Sequence, residues 1–167
     1  YTPTHTFFRE TYTPSLIIIK LLPQGASMYA SVKWHNGLVF TGSAKSGFKV
    51  PLSSGEENSG FRPLELLAVG LAGCTSMDVI SILEKKRQEV TDFQVNVDVL
   101  ERAQEHPKIW TRAKIEYIVT GRNIDPAAVE RAIELSTTKY CSASAMLEKA
   151  VQIEHAYRII EAETEMA

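Results

Sequence analysis

Cysteine is scarce in this sequence, and so is any excess of charge of one sign. Only Cys74 and Cys141 occur in 167 residues, far apart and with no CxxC pair. That excludes a disulfide scaffold and a four-ligand structural zinc site, but it leaves enough for one redox pair. The formal net charge is −2, which argues against nucleic acid as an electrostatically driven partner. A membrane-spanning run is not expected either. Leu16–Leu22 is too short to cross a bilayer, and the one longer apolar stretch is interrupted by Glu65 and Asp78 with no comparable second segment. No basic region followed by a cleavage site opens the chain, so the expected location is cytoplasmic. Neither internal repeats nor low-complexity segments occur.

What remains is the composition of one ordinary globular domain, 44% hydrophobic and 23% charged, with chain enough for a proper core. Residues 1–27 differ from the rest. They carry three of the seven prolines and no usable periodicity, and are expected to be a disordered or artefactual leader. The domain proper is expected over residues 28–167.

One stretch organises that domain, Arg62 to Arg87. Pro63 suits a first helical turn, no later proline interrupts, and Glu84-Lys85-Lys86-Arg87 puts cations at the C-terminal end. At about 1.5 Å per residue such a helix spans roughly 37 Å. Its middle is apolar all round, which predicts burial on every side. Gly70 and Gly73 beside Cys74 each cost about 1 kcal/mol of helix propensity relative to alanine. A second copy of the same helix, packed closely at that thin patch, would compensate.

The flanking segments read as strands and shorter helices. Residues 28–34 alternate, and Asn36-Gly37 is a strong hairpin signal returning through Leu38-Val39-Phe40. Phe48 to Leu52 gives a third strand with Pro51 suited to an edge. Phe93, Val95, Val97 and Val99 alternate with polar residues, as do Ile109, Thr111, Ala113, Ile115, Tyr117 and Val119, predicting an antiparallel pair. Asp125-Pro126 caps a helix expected to reach Tyr140, with Val129, Ala132, Ile133 and Ser136 on one face. Ser142 is expected to cap a short helix through Leu147, and Val151–Ile160 closes the domain as a strand. The fold class is therefore α+β, with an antiparallel sheet wrapped on helices that carry the two thiols.

Several motifs occur in order along this frame. They are Val32-Lys33-Trp34, Pro63-x-Glu65-Leu66-Leu67, Ala72-Gly73-Cys74-Thr75, Asp78-Val79-x-Ser81-Ile82-Leu83, Val119-Thr120-Gly121-Arg122 and Tyr140-Cys141-Ser142-x-Ser144. Over roughly residues 28–160 the chain resembles the OsmC/Ohr family of organic hydroperoxide-reducing thiol proteins, in a less-studied branch. The resemblance implies an intertwined homodimer with its two long central helices packed together and active sites built from both subunits. It implies Cys74 as the thiol that attacks peroxide and Cys141 as the resolving thiol. The substrate would be an organic hydroperoxide and the reductant an external dithiol, with no metal or organic cofactor required.

The sequence also departs from the family pattern. In well-studied members the proline is followed at once by a glutamate which, with a hairpin arginine, prepares the thiolate. Here that position is Leu64, and Glu65 lies nine residues before Cys74, on the opposite side of a straight helix at about 100° per residue. The hairpin offers Lys33 and His35 but no arginine. Asp78 follows Cys74 by one turn and shares its face, where an unpaired carboxylate raises a thiol pKa. Its expected neutraliser is Arg62, His35 or a cation of a partner chain; otherwise Asp78 bonds across the dimer and fixes register. His155 reads as a satisfied core histidine, His106 as a solvated turn residue, Tyr140 as packing, and Trp34 as a cover for the helix or a pocket wall. Two function classes follow: a thiol peroxidase, or a dimeric thiol sensor or small-ligand binding module that kept the fold and lost the activating pair.

Overall fold

The computed structural model describes residues 29–54 and 59–162. The expected leader, residues 1–27, and the domain start at Met28 lie outside the described residues. The described chain forms two three-stranded sheets and three α-helices.

The N-terminal sheet has the order β1 (Ala30–Asn36), β2 (Val39–Ala44), β3 (Lys49–Ser53), antiparallel throughout. Gly37 turns the hairpin at φ 45°, a left-handed conformation that glycine adopts without steric cost. Pro51 pairs opposite Thr41 on the edge strand β3, where a missing N–H leaves no ladder gap. Large apolar side chains face outward here, Val32 and Trp34 on β1 and Phe48 just before β3, the last 81% exposed.

The chain then enters α1 (Pro63–Lys85). Arg62 is the extended residue before it, and Arg87 leaves it at φ 56°. The expectation of burial on every side is corrected within the single chain. Leu71, Thr75, Val79 and Leu83 form a buried row spaced four apart, whereas Leu64, Leu67, Val69 and Met77 on other faces are exposed. The described residues supply only one wall for an all-apolar helix. By length and composition α1 is also apolar enough to cross a membrane, but its buried row packs into the protein core.

That core lies between α1, α2 (Pro126–Leu135) and the second sheet, β4 (Glu89–Arg102), β5 (Trp110–Arg122) and β6 (Gln152–Glu161). β4 and β5 pair antiparallel, and the inward alternation of Ala113, Ile115, Tyr117 and Val119 is fully buried. β6 departs from the antiparallel expectation and runs parallel to β5. Its side-chain alternation is the same in either direction; the helical excursion before it is long enough for the crossover a parallel pair needs.

That excursion carries the second thiol. Asp125 caps α2 by accepting from the Ala127 N–H at 2.9 Å, with Pro126 in the first turn. The helix does not continue regularly to Tyr140. It widens at Ser136–Tyr140 into a π turn, in which the Cys141 N–H donates to the Ser136 carbonyl. Thr137 and Thr138 donate their hydroxyls to carbonyls of Ile133 and Glu134, and such back-bonding competes with the α-helical ladder. A short helix, α3 (Ser142–Leu147), follows, and its cap is Cys141, not Ser142.

Candidate active site

The two cysteines meet where α1 faces the start of α3. Sγ of Cys74, Sγ of Cys141 and a carboxylate oxygen of Asp78 all lie within 4.8 Å of one another. Cys74 is half-buried and Cys141 is buried, and neither is in a disulfide. Asp78 arrives by helical spacing, one turn after Cys74. Cys141 arrives by the π turn, which ends α2 and hands the chain to α3.

Each sulfur has a distinct surrounding. Cys141 Sγ accepts from the Ser144 N–H at 3.4 Å and the Ser144 hydroxyl at 3.2 Å. Sulfur is a weak acceptor, yet here it fills the capping position that a serine oxygen fills elsewhere. The Cys74 thiol is held above the ordinary thiol range. Burial, which disfavours the thiolate, is the largest cause; the Ala143 amide pulls the other way, and Cys141 and then Asp78 push it further up. Asp78 is thus a minor contributor to a weak acid whose main handicap is desolvation.

A buried chain of polar groups runs back from Asp78. Its carboxylate accepts from the Ser136 hydroxyl at 3.1 Å, and Ser136 Oγ lies 3.0 Å from Thr75 Oγ1. Thr75 Oγ1 lies 2.8 Å from the Tyr117 hydroxyl. The Tyr117 hydroxyl in turn lies 3.4 Å from Nδ1 of His155, whose ring stacks on the Tyr117 ring. Burial pushes the Tyr117 phenol up to about 12 and pushes the His155 imidazole down, the nearby Glu148 carboxylate opposing the latter. Thr75, Ser136 and Tyr117 have no solvent access. Hydroxyls both donate and accept, so each satisfies its neighbour, which is how a polar chain survives in an apolar core. The sequence did carry a signal for it: polar residues stand at core positions of the α1 row, the β5 alternation and the α2 face.

The other expected residues do not converge on the thiols. Glu65 accepts from the Arg62 N–H at 2.9 Å, so it closes the N-terminus of α1. Arg62 and Glu65 line a separate pocket with Val97, Val99 and Trp110. His35 lies on β1, its Nε2 2.8 Å from the Thr41 hydroxyl. Neither Arg62 nor His35 pairs with Asp78, and among the described residues no cation does. The internal neutralisers expected for Asp78 are therefore absent from this site; its partner is the neutral Ser136. His155 is the tail of the polar chain rather than a core residue, its side chain 23% exposed. Trp34 is exposed and donates to the Gly37 carbonyl across its own turn. An apolar groove of about 610 Å³ is lined by Leu64, Leu67, Ile109, Trp110, Leu147 and Val151 among others; neither cysteine lines it.

Fold and site together define a class, an α+β domain in which a long central helix and a short capped helix each bring one thiol to a common point. The chain belongs to the OsmC-like protein family, whose model matches residues 55–156. It is 42% identical over 135 residues to the protein YhfA of Escherichia coli K12, spanning 81% of this chain and 100% of that protein. Among solved structures, a hypothetical protein from Aquifex aeolicus VF5 is 29% identical, with a TM-score of 0.74 over 82% of this chain and 98% of that one. An organic hydroperoxide resistance protein OsmC from Legionella pneumophila is 15% identical with a TM-score of 0.59, covering 78% of this chain and 96% of that one. At that identity the likeness is one of fold.

Proposed function

We propose that this protein is a two-cysteine reductase of organic hydroperoxides, working as a homodimer. The observation that carries the reading is the approach of the two sulfurs, which lie within 4.8 Å of each other on different elements. The Cys74 thiolate attacks the peroxide O–O bond and displaces an alkoxide, which takes a proton and leaves as the alcohol. Cys74 becomes a sulfenic acid. The Cys141 thiol then attacks that sulfur, water leaves, and a disulfide forms. Two electrons from an external dithiol restore both thiols. Membership of the OsmC-like family supports a thiol redox role of this kind. The hydroperoxide resistance function named for the Legionella structural neighbour points to the substrate class.

The dimer reading rests on apolar surface that the described residues of one chain leave uncovered. Met77 is 74% exposed and Val69 51% exposed on α1, and Trp34 on β1 and Phe48 just before β3 are exposed. Among the described residues, and apart from the helix's own backbone, nothing lies within 4 Å of where a Cβ would stand on Gly70 or Gly73. A second α1 lying along this face supplies the missing wall.

Loss of thiols on adding cumene hydroperoxide, compared with hydrogen peroxide, tests the chemistry. Cys74→Ser is expected to abolish the reaction, and Cys141→Ser to react once and accumulate a trappable sulfenic acid. Equal reactivity of Cys74→Ser and the native protein would refute the assignment. A native protein inert to both peroxides would favour the thiol-sensor reading, which the raised Cys74 thiol and the absent activating pair make the natural second choice.

A further inference from the structure

Two sulfurs and a carboxylate converge on one point, and among the described residues no cation pairs with that carboxylate. We infer that Cys74, Cys141 and Asp78 form a three-ligand site for a thiophilic divalent cation of the zinc type, occupied when both thiols are reduced. Donor identity points there first, because paired thiolates select zinc-like ions over calcium or magnesium, which prefer oxygen alone.

The spacing of the three donor atoms fits such an ion. Ligand atoms about 2.0–2.3 Å from a common zinc lie about 3.5–3.8 Å apart in a tetrahedral arrangement. The three atoms here are within 4.8 Å of one another, so small side-chain rotations close the gap. Three protein ligands leave a fourth position for water, as in open zinc sites rather than closed structural ones.

The outer shell fits a metal site as well. Asp78 accepts from Ser136, and Cys141 accepts from both the amide and the hydroxyl of Ser144. Ligands of real metal sites are commonly held in place by such bonds. On binding, both thiols release their protons to solvent, and the cation's two charges offset two thiolates while Asp78 leaves the site singly negative. The ion thereby supplies the positive charge that neither Arg62 nor His35 supplies. It also occupies the sulfur lone pairs, so the loaded protein holds its thiols out of reach of electrophiles until the ion is removed.

The inference stands apart from peroxide chemistry, since metal binding is read on reduced protein with no peroxide present. The test uses the full chain, reduced, metal-free and under argon, titrated with Co²⁺ and then displaced by Zn²⁺. One Co²⁺ per chain is expected, with a thiolate-to-cobalt charge-transfer band in the near ultraviolet and the visible bands of a tetrahedral ion. Cys74→Ser and Cys141→Ser should each lose roughly half of the charge-transfer intensity. Asp78→Asn, which can still accept from Ser136, should weaken binding about tenfold or more, and Ser136→Ala, an outer-shell change, by about 10–100-fold at most. Zn²⁺-loaded protein should resist alkylation by iodoacetamide until a chelator is added. Absence of saturable Co²⁺ binding would overturn the site. So would a spectrum without the charge-transfer band, or affinity unchanged in Cys74→Ser and Asp78→Asn with both variants folded by circular dichroism.

Discussion

Replacing Thr75 with valine removes one hydroxyl from a place with no solvent access and almost nothing else. In the native protein that hydroxyl lies 2.8 Å from the Tyr117 hydroxyl and 3.0 Å from the Ser136 hydroxyl. Each such hydrogen bond contributes about 0.5–1.5 kcal/mol net, and a buried donor left unsatisfied costs about 1–3 kcal/mol. Ser136 keeps Asp78 as acceptor, but Tyr117 is left with only the 3.4 Å contact to His155. The expected loss is therefore about 2–4 kcal/mol, large beside a typical domain stability of about 5–15 kcal/mol. With a urea slope near 2 kcal/mol per molar, the midpoint should fall by about 1–2 M. Thr75→Ser keeps the hydroxyl and deletes one methyl group, so it should cost only about 1 kcal/mol. Both variants are compared with native protein by urea unfolding, reduced and at one fixed protein concentration, because a dimer's stability depends on concentration. A valine variant within about 0.5 kcal/mol of native, inside the range of an ordinary surface change, would refute the reasoning. A serine variant that falls as far as the valine one would show packing, not the hydroxyl, to be the source.

Gly70→Leu meets open space within one chain, so it should leave the fold intact and raise the dimer dissociation constant by overpacking worth about 1–3 kcal/mol; analytical ultracentrifugation checks this. The raised Cys74 thiol predicts a peroxide reaction rate that climbs with pH through and beyond the ordinary thiol range, measured by stopped flow. Asp78 is the smallest of the causes raising that thiol, so Asp78→Asn should speed the reaction near neutral pH only modestly. Burial lowers the His155 imidazole, which means the fold favours its neutral form. Its contribution is present above the unfolded value of about 6.5 and is lost as pH falls from there through the lower folded value. Urea midpoints at about pH 7.5 and pH 5 should diverge in native protein and converge partly in His155→Asn.

The frame of the fold was open to reading because local chemistry dictated it. Asn36-Gly37 permits little but a hairpin, Pro63 and Asp125-Pro126 mark helix starts, and the alternation around Val97 and Ile115 can only be two half-buried strands. The direction of β6 was not legible, since a strand's inward residues are the same read either way. The full burial expected for α1 failed within one chain for a related reason: hydropathy records that a face must be covered, not which molecule covers it. At the site, the one-turn spacing of Cys74 and Asp78 already placed them together, and helical geometry already set Glu65 aside. The link from Thr75 to Tyr117 and Ser136 was hidden because it joins residues 42 and 61 positions apart. Each of them alone marks a polar group at a core position without naming its partner. Cys141 as a helix cap was hidden too, because sulfur is not the atom normally sought at that position.

The parallel pairing of β6 with β5 sets an order of events in folding. β4 and β5 join through a short connection and can zip as soon as both exist. β6 must wait for everything between Arg122 and Gln152, and closing a flexible loop of roughly thirty residues costs on the order of 3 kcal/mol beyond a constant. Laying down α2, the π turn and α3 against the sheet shortens that gap, so Cys141 is carried to its place before the last strand locks. Pulsed hydrogen exchange during refolding should register this as early protection of β4 and β5 amides and late protection of β6. On this order the two thiols meet just before the last strand locks, and until then each sulfur is an ordinary lone cysteine.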